Sequence, residues 1–574
     1  MAAMKIHGSE YILSKVFSND FAFEIPHYQR PYAWTLEQTG ELWDDLTSAM
    51  ETGNGAPIED VPPYFLGAVV LIKQDHSADA KVVDGQQRLT TFTVLLSALR
   101  EVLEDKQRAA GLTAFLYDEG NPNLGTTNRY RLQVRERDRK FFTEHVQEPG
   151  GLVRLAKIDA ARLESSSQAN LWANGLYLLD RATKLPEVMR QRLATFLLTR
   201  CVLVVVSSPD LDSAYRIFAV LNNRGLDLSH TDILKAEIIG QWPPAISEEY
   251  SEKWEEAENA LGVEPFKELF AHIRMIYRKQ KMRETLLQEF RAHVVPQHKA
   301  KDLIDDVILP YADAYKEITT ASFESASQAE KINALLRWLG QIDNFDWMPP
   351  AIKFLTDHRD EPHELLRFLT DLERLAATMM ITRVDITKRI ERYGRLLTAM
   401  AKGEDLYAEQ SPLQLTVDER SKVTTALDGD IYNVKNVPRY VLLRLDALLS
   451  EGEAHYDLPV ISIEHVLPQT PRKSSEWLVK FADETKRVLF VHRLGNLVLL
   501  SGRKNTAASN YDFEEKKAKY FTGKGGVSPF ALTTQVLRER EWTPEVLERR
   551  QRDLLGTLTT LWRLADAKPK DGAR

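Results

Sequence analysis

A carboxylate and an imidazole stand side by side late in the chain. Glu464 and His465 end the run Ile461-Ser462-Ile463 and precede Val466-Leu467-Pro468. His492-Arg493-Leu494-Gly495-Asn496-Leu497-Val498-Leu499-Leu500 follows, and then Asn505. The first run reads as a strand, Gly495-Asn496 as a turn, the second apolar run as another strand, and Asn505 as part of a helix. Such an order can bring an acid, a base and amide groups together to cut a phosphodiester. That reaction needs a base for water, a cation to offset charge on the phosphate and leaving oxygen, and a partner that fixes the base's tautomer. His465 titrates near neutrality and suits the first task. Glu464 can supply a hard oxygen ligand for magnesium, and Asn505 a neutral one. Asn496 can pin the loop and orient the imidazole from behind. A Glu-His pair alone is usually structural; Gly495-Asn496-Leu497 and Asn505 in sequence order make the catalytic reading the stronger one.

Two N-terminal stretches carry further chemistry. Asp84-Gly85-Gln86-Gln87-Arg88-Leu89-Thr90-Thr91 lies where a short strand, Lys81-Val82-Val83, gives way to helical spacing at Leu89, Phe92, Leu95, Leu96, Leu99 and Leu103. A helix N-terminus offers free N–H groups and a positive dipole, which suit phosphate. Gly85 permits close approach, Arg88 adds charge, and Thr90 and Thr91 add hydroxyls. The P-loop pattern is absent. Upstream, Ile25-Pro26-His27-Tyr28-Gln29-Arg30-Pro31-Tyr32-Ala33-Trp34 combines aromatics, prolines and an arginine. Prolines stiffen such a segment. Tyr28, Tyr32 and Trp34 could stack on bases or line a pocket for a modified group, and Arg30 could grip a phosphate. Taken alone, the segment reads better as a packed N-terminal extension.

The elements that must hold these groups come from a chain of 574 residues, 43% hydrophobic and 28% charged, a balance that suits several folded domains. The single cysteine, Cys201, sits in the apolar run Cys201–Val206 and reads as a buried strand residue. It excludes an intrachain disulfide and a cysteine-based zinc site. No secretory signal and no run long enough to span a membrane is evident, so the expected location is the cytoplasm. The net charge of −8 argues against a protein that coats nucleic acid. Local basic windows remain: Arg129–Lys140 holds six basic and two acidic residues, and Arg472–Lys524 twelve and six. The second overlaps the His465 region and makes Arg493, Lys504, Lys516 and Lys517 candidates for the DNA backbone. Tyr64–Ile72 reads as a buried strand. Asp212–Leu221 reads as a helix ended by Asn222-Asn223-Arg224-Gly225, and Ser229–Asp232 as the cap of Ile233–Gly240. After Trp242-Pro243-Pro244 helix follows helix, for example over Ala334–Leu339, His363–Met380 and Val441–Leu449.

The C-terminal residues resemble the His-Me finger (ββα-metal, HNH) nucleases. Glu-His-x-x-Pro, then Gly-Asn-Leu, then Asn resembles the branch found in GmrSD-type modification-dependent restriction proteins. The resemblance implies His465 as general base, Glu464 and Asn505 as ligands of Mg2+ or Mn2+, and Asn496 as the residue that constrains the loop. Trp477, His492-Arg493, Phe513 and Lys516-Lys517 fit it too. The last position is Asn where many HNH enzymes have His. Gln29-Arg30-Pro31-Tyr32-x-Trp34, Tyr64-Phe65-Leu66-Gly67, Asp84–Arg88 and Phe218-x-x-x-Asn222-x-x-Gly225-x-x-Leu228-Ser229 resemble the N-terminal domain of the same proteins. That domain has a ParB/sulfiredoxin-like fold and hydrolyses nucleoside triphosphates. Asp84, Gly85, Gln86, Gln87, Arg88 and Thr90, with Gln29 and Arg30 nearby, would then bind and cleave a nucleotide (GTP, ATP or another). Tyr28, Pro31, Tyr32 and Trp34 would help sense DNA modification.

The expected architecture is therefore α+β, multidomain and mostly helical. It has a ParB-like NTPase and sensing domain over 1–241, a helical middle over 242–450 and an HNH finger over 451–574. The expected function is an NTP-regulated, modification-dependent DNA endonuclease of anti-phage defence, soluble, with a homodimer as a candidate assembly. Two other readings stay open: an NTP-binding reader of modified DNA with a degenerate finger, and an RNA-directed abortive-infection nuclease.

Overall fold

The structure, a computed structural model, describes residues 7–52, 55–210, 213–214, 230–240, 242–450, 461–501, 510–518 and 528–565. The chain divides into two compact units, Met1–Glu256 and Ala257–Arg574. It is α+β and mostly helical, as expected, with a mixed sheet in the first unit. Among the described residues no helix is long and apolar enough to cross a membrane.

The sheet of the first unit contains β1 (His7–Ile12), β2 (Ala22–Glu24), β3 (Tyr64–Lys73), β4 (Asp79–Asp84), β7 (Leu132–Gln133) and β8 (Cys201–Ser208). Their order is β1-β8-β3-β4-β2-β7. A separate two-stranded ribbon joins β5 (Tyr117–Asp118) to β6 (Arg129–Tyr130). β3 runs parallel to β8, and β4 antiparallel to β3. The central strands are β-branched and apolar because both faces are covered. The Gln86–Val102 helix leaves β4 and is buried continuously from Leu89 to Arg100. It is the spine of the unit, and its N-terminus sits at the end of β4, between β3 and β2.

Gly85 makes the strand-to-helix turn possible. Its φ is +91°, in the left-handed region, and a Cβ there would lie 2.8 Å from Val69 Cγ2. Gly85→Ala is expected to destabilise the protein by about 3 kcal/mol, combining backbone strain and steric overlap. Denaturant unfolding read by circular dichroism would measure it.

In the second unit, β9 (Ile461–His465) and β10 (Leu497–Ser501) form an antiparallel pair, with Leu497 opposite His465 and Val498 opposite Glu464. Behind them Val466, Leu467, Trp477, Phe490, Val498, Phe513, Trp542 and Leu547 share one core. The helix Pro544–Leu561 lies directly on Gly495, where a Cβ would meet the Leu547 carbonyl oxygen at 2.8 Å. The buried Arg550 guanidinium donates to the carbonyls of Gly495 at 2.7 Å and Leu497 at 3.1 Å. The turn before β10 is thus fixed from behind.

All of the expected Asp212–Leu221 helix except residues 213–214, which are helical, and its Asn222–Gly225 stop, the motif positions Phe218, Gly225, Leu228 and Ser229, and Lys504 and Asn505 lie outside the described residues.

Candidate active site

His465 ends β9 and faces a cleft of about 350 Å3 that Tyr432, Ile463, Glu464, Pro468, Gln469, Thr470 and Asn510 also line. Both members of the Glu464-His465 pair therefore reach one cavity. The imidazole is held at both nitrogens. Its Nε2 is 3.2 Å from His492 Nδ1, and its Nδ1 is 3.3 Å from Gln469 Nε2. An amide N–H donating to Nδ1 leaves the ring proton on Nε2, where it points at His492. Tyr432 packs edge-on to His465, with centroids 4.3 Å apart, and stacks on His492 at 5.3 Å. Burial, helped by the neighbouring charges of His492 and Lys516, pushes the His465 imidazole down to about 3. It is neutral throughout the physiological range and, in this arrangement, a weaker base than the near-neutral imidazole expected from the sequence.

Asn496 is fully buried and does not touch the imidazole. Its Oδ1 accepts from the Leu467 N–H at 2.7 Å, while its Nδ2 donates to the carbonyls of Leu467 at 2.9 Å and Val491 at 2.8 Å. It pins the loop after His465, as expected. Orientation of the ring falls to His492 and Gln469 instead.

Of the basic residues expected on DNA, the described ones, Arg493, Lys516 and Lys517, are paired with the chain's own groups, and this corrects the sequence reading. Lys516 is fully buried, and its Nζ donates to Glu464 Oε1 at 2.8 Å and to the His465 carbonyl. Burial lowers its pKa, against the pull of Glu464. Lys517 Nζ donates to Glu514 at 3.0 Å and to the Glu539 carbonyl at 2.9 Å. Arg493 holds Asp428 through its carboxylate at 3.1 Å and its carbonyl at 3.0 Å. The basic window Arg129–Lys140 is likewise internally paired: Arg129 with Asp79, Arg131 with Asp118, Arg135 with Glu255, Arg137 with Glu252 and Arg139 with Glu136. A run of charge in a sequence does not reveal its partners.

As arranged, the described donors do not make a metal site. No group of three His, Cys, Asp or Glu among the described residues could hold an ion. The one carboxylate in place, Glu464, is already bonded to an ammonium.

In the first unit, Arg30, Tyr32, Gln86, Gln87, Thr90, Arg135, Asp138 and Ser167 line a cleft of about 20 Å3. That is room for a water, not for a triphosphate. Several expected ligands are engaged in structure. Gln87 Oε1 accepts from the Ala33 N–H at 2.8 Å and its Nε2 donates to the Pro31 carbonyl at 3.0 Å. Thr90 Oγ1 donates to the Gln86 carbonyl at 2.8 Å, and Arg88 to the Ala68 carbonyl at 3.0 Å. Buried Gln29 donates to the Val83 carbonyl at 3.3 Å. Arg30 pairs with Asp232 at 2.9 Å. Burial raises the Asp84 pKa above the usual carboxylate range. Gln86 Oε1, Asp138 Oδ1, Ser167 Oγ and Arg135 Nε, by contrast, are buried with no partner, so polar ligand atoms would complete this cleft.

The aromatic segment is packed rather than displayed. Tyr28 and Tyr32 are buried. The Tyr32 hydroxyl pairs with Thr91 Oγ1 at 2.8 Å and accepts from Asn174 at 3.0 Å, and half-buried Trp34 packs on the same core. In this arrangement neither tyrosine can stack on a base: Tyr32 ties Pro31–Trp34 to the spine helix, and Tyr28 packs against His27 and Gly240. Tyr432 and Gln469 escaped the sequence reading. Tyr432 lies far upstream of His465, and only the fold brings it onto the ring; Gln469 has no signal beyond its place just after Pro468.

No curated protein matches the chain. Residues 12–239 match the family model described as GmrSD restriction endonuclease, N-terminal domain, and residues 417–557 match that of GmrSD restriction endonucleases, C-terminal domain. Together the two matches cover well over half of the chain, in the family's order. A restriction endonuclease acts on DNA. The chain belongs to the GmrSD restriction endonucleases.

Proposed function

We propose that this restriction nuclease cuts modified DNA at the His465 cleft, under control of a nucleoside triphosphate bound at the Asp84–Arg88 turn. The observation that carries the reading is the His465 ring, neutral and held at both nitrogens beside Glu464 on a cleft of about 350 Å3. In the proposed reaction a water enters the cleft, and Gln469 yields Nδ1 of His465 to it. Nδ1 takes the water's proton as its oxygen attacks phosphorus, the P–O bond to the leaving sugar oxygen breaks, and that oxygen takes a proton from solvent, while Nε2–H stays on His492. Tyr432 and Asn496 keep the ring and its loop in place. The C-terminal fold we read as an HNH finger, and the N-terminal one as ParB-like.

The nucleotide reading rests on the uncapped helix start at Gly85 and on the unpartnered donors Arg135 Nε and Ser167 Oγ. At about 20 Å3 their cleft must widen to admit a phosphate chain. Such a requirement would make nucleotide binding a conformational signal.

The test is cleavage of plasmid and phage DNA, unmodified and carrying glucosylated bases, methylated bases or phosphorothioates, with and without NTP. Cutting of one modified DNA alone is the expected result. No cutting of any DNA alongside NTP hydrolysis would favour the reader with a silent finger.

The pH profile gives a second check. Protonation removes the base, and the folded-state pKa is about 3 against an ordinary 6.5. Cleavage should therefore not fall as pH drops from 8 to 6. An acid limb with a midpoint near 6.5 would contradict the buried-base reading. Stability should follow linkage: as pH falls from 6.5 towards 3, the unfolded chain binds a proton that the folded one refuses, and stability declines.

A further inference from the structure

The family's chemistry places a divalent ion on the carboxylate beside the base, and here that carboxylate already has a cation. Lys516 Nζ lies 2.8 Å from Glu464 Oε1 and also donates to the carbonyl of His465. The lysine side chain is fully buried, and Glu464 is nearly so. The arrangement is built rather than incidental. Lys516 closes the short helix Phe513–Lys516, and Phe513 belongs to the core beneath β9 and β10. Three further contacts fix the approach to that helix: Trp477 Nε1 donates to the Tyr511 carbonyl at 2.9 Å, Ser475 pairs with Asp512, and the Phe513 N–H donates to Glu476 at 3.0 Å. A buried carboxylate needs a counter-charge, and the fold supplies one from its own chain. A divalent ion and an ammonium cannot both sit on one carboxylate without strong mutual repulsion.

We propose that Lys516 is the resident cation of Glu464, and that a divalent ion reaches this carboxylate only by displacing the lysine ammonium. The incoming ion brings one charge more than the ammonium it replaces, and the flexible four-carbon stem of lysine lets the ammonium leave while the helix stays. Displacement also frees the His465 carbonyl, so cation exchange is felt at the peptide that carries the base. Lys516 is thus a positioning residue in the metal-free protein and a competitor of the metal. The inference rests on reading the cleft as the nuclease site.

Mn2+ binding to the full chain, followed by the paramagnetic signal of free Mn2+, tests it. Lys516→Met should bind Mn2+ at least tenfold more tightly than wild type, and adding Glu464→Gln should abolish that gain. Unchanged or weaker binding by Lys516→Met overturns the proposal, as does failure of both proteins to bind Mn2+. Removing one partner of a buried pair can unfold a protein, so a second measurement uses the wild-type chain alone. Amine-reactive labelling read by mass spectrometry should find Lys516 protected without Mn2+ and labelled at least tenfold faster at saturating Mn2+, with exposed Lys388 unchanged as control. Lys516 that stays protected at saturation overturns the proposal. Neither assay reads cleavage. A protein that cuts DNA while Lys516 stays protected defeats this inference alone; one that shows the exchange yet cuts no DNA defeats the nuclease reading alone.

Discussion

His465→Ala is expected to lower DNA cleavage by about 10^2- to 10^4-fold, the range that a positioned acid–base group contributes. The loss should appear in single-turnover cutting and leave NTP hydrolysis intact, because the two sites lie on different motifs. Little loss of stability is expected. The ring touches Tyr432, His492 and Gln469 and is absent from the apolar core behind the strand pair, so truncation leaves that core whole. Buried and already neutral, the ring also leaves no orphaned charge when removed. Cutting by the variant within tenfold of wild type would remove His465 from the chemistry. His492→Ala should have a smaller effect of the same sign, since it loosens the ring without deleting the base.

The sequence reading reached the second unit's strand pair because its signals are local. Ile461–Ile463 and Leu497–Leu500 are apolar runs around a Gly-Asn turn, and each strand forms where its residues suggest. The Gln86–Val102 helix was legible for the same reason, through apolar spacing after a glycine break. β1, β2 and β7 were not. β1 has a largely exposed pattern with no alternation to detect, and the other two have only three and two residues. All three exist through partners distant in sequence: β1 on β8, and β2 between β4 and β7.

Candidate residues divided along the same line. Asn496, in a loop whose backbone needs an amide, bonds that backbone, while the ring it was also expected to orient is held by His492 and Gln469. Lys516 departs from the expectation, because its partner Glu464 lies 52 residues earlier and nothing local distinguishes a buried lysine from a solvated one. Tyr32 and Gln87 were read by chemical type as a base stacker and a nucleotide ligand. In the fold their polar atoms join one segment to the spine helix. A residue's chemistry states what it can do; its neighbours, assembled from remote parts of the chain, decide which possibility is taken up.

Asn496→Ala is expected to destabilise the protein by about 4 kcal/mol, among the larger effects of a single substitution. The side chain bonds the Leu467 N–H, the Leu467 carbonyl and the Val491 carbonyl, all away from solvent. Alanine leaves all three unmatched, and each such group costs about 1–3 kcal/mol when water cannot reach it. Asn496→Asp should be at least as harmful. A carboxylate can still accept from Leu467 N–H, yet it faces two carbonyl oxygens where the amide donated. A shortened side chain at an exposed loop would not behave this way, so the pair of variants separates a clamp from a passive turn residue. Denaturant midpoints would measure both, and an alanine variant within about 1 kcal/mol of wild type would contradict the clamp. Cleavage should fall with the loop that carries His465, even below the unfolding transition. The peptide from Val466 to Leu467 joins the base to the core, and Asn496 is what holds it there.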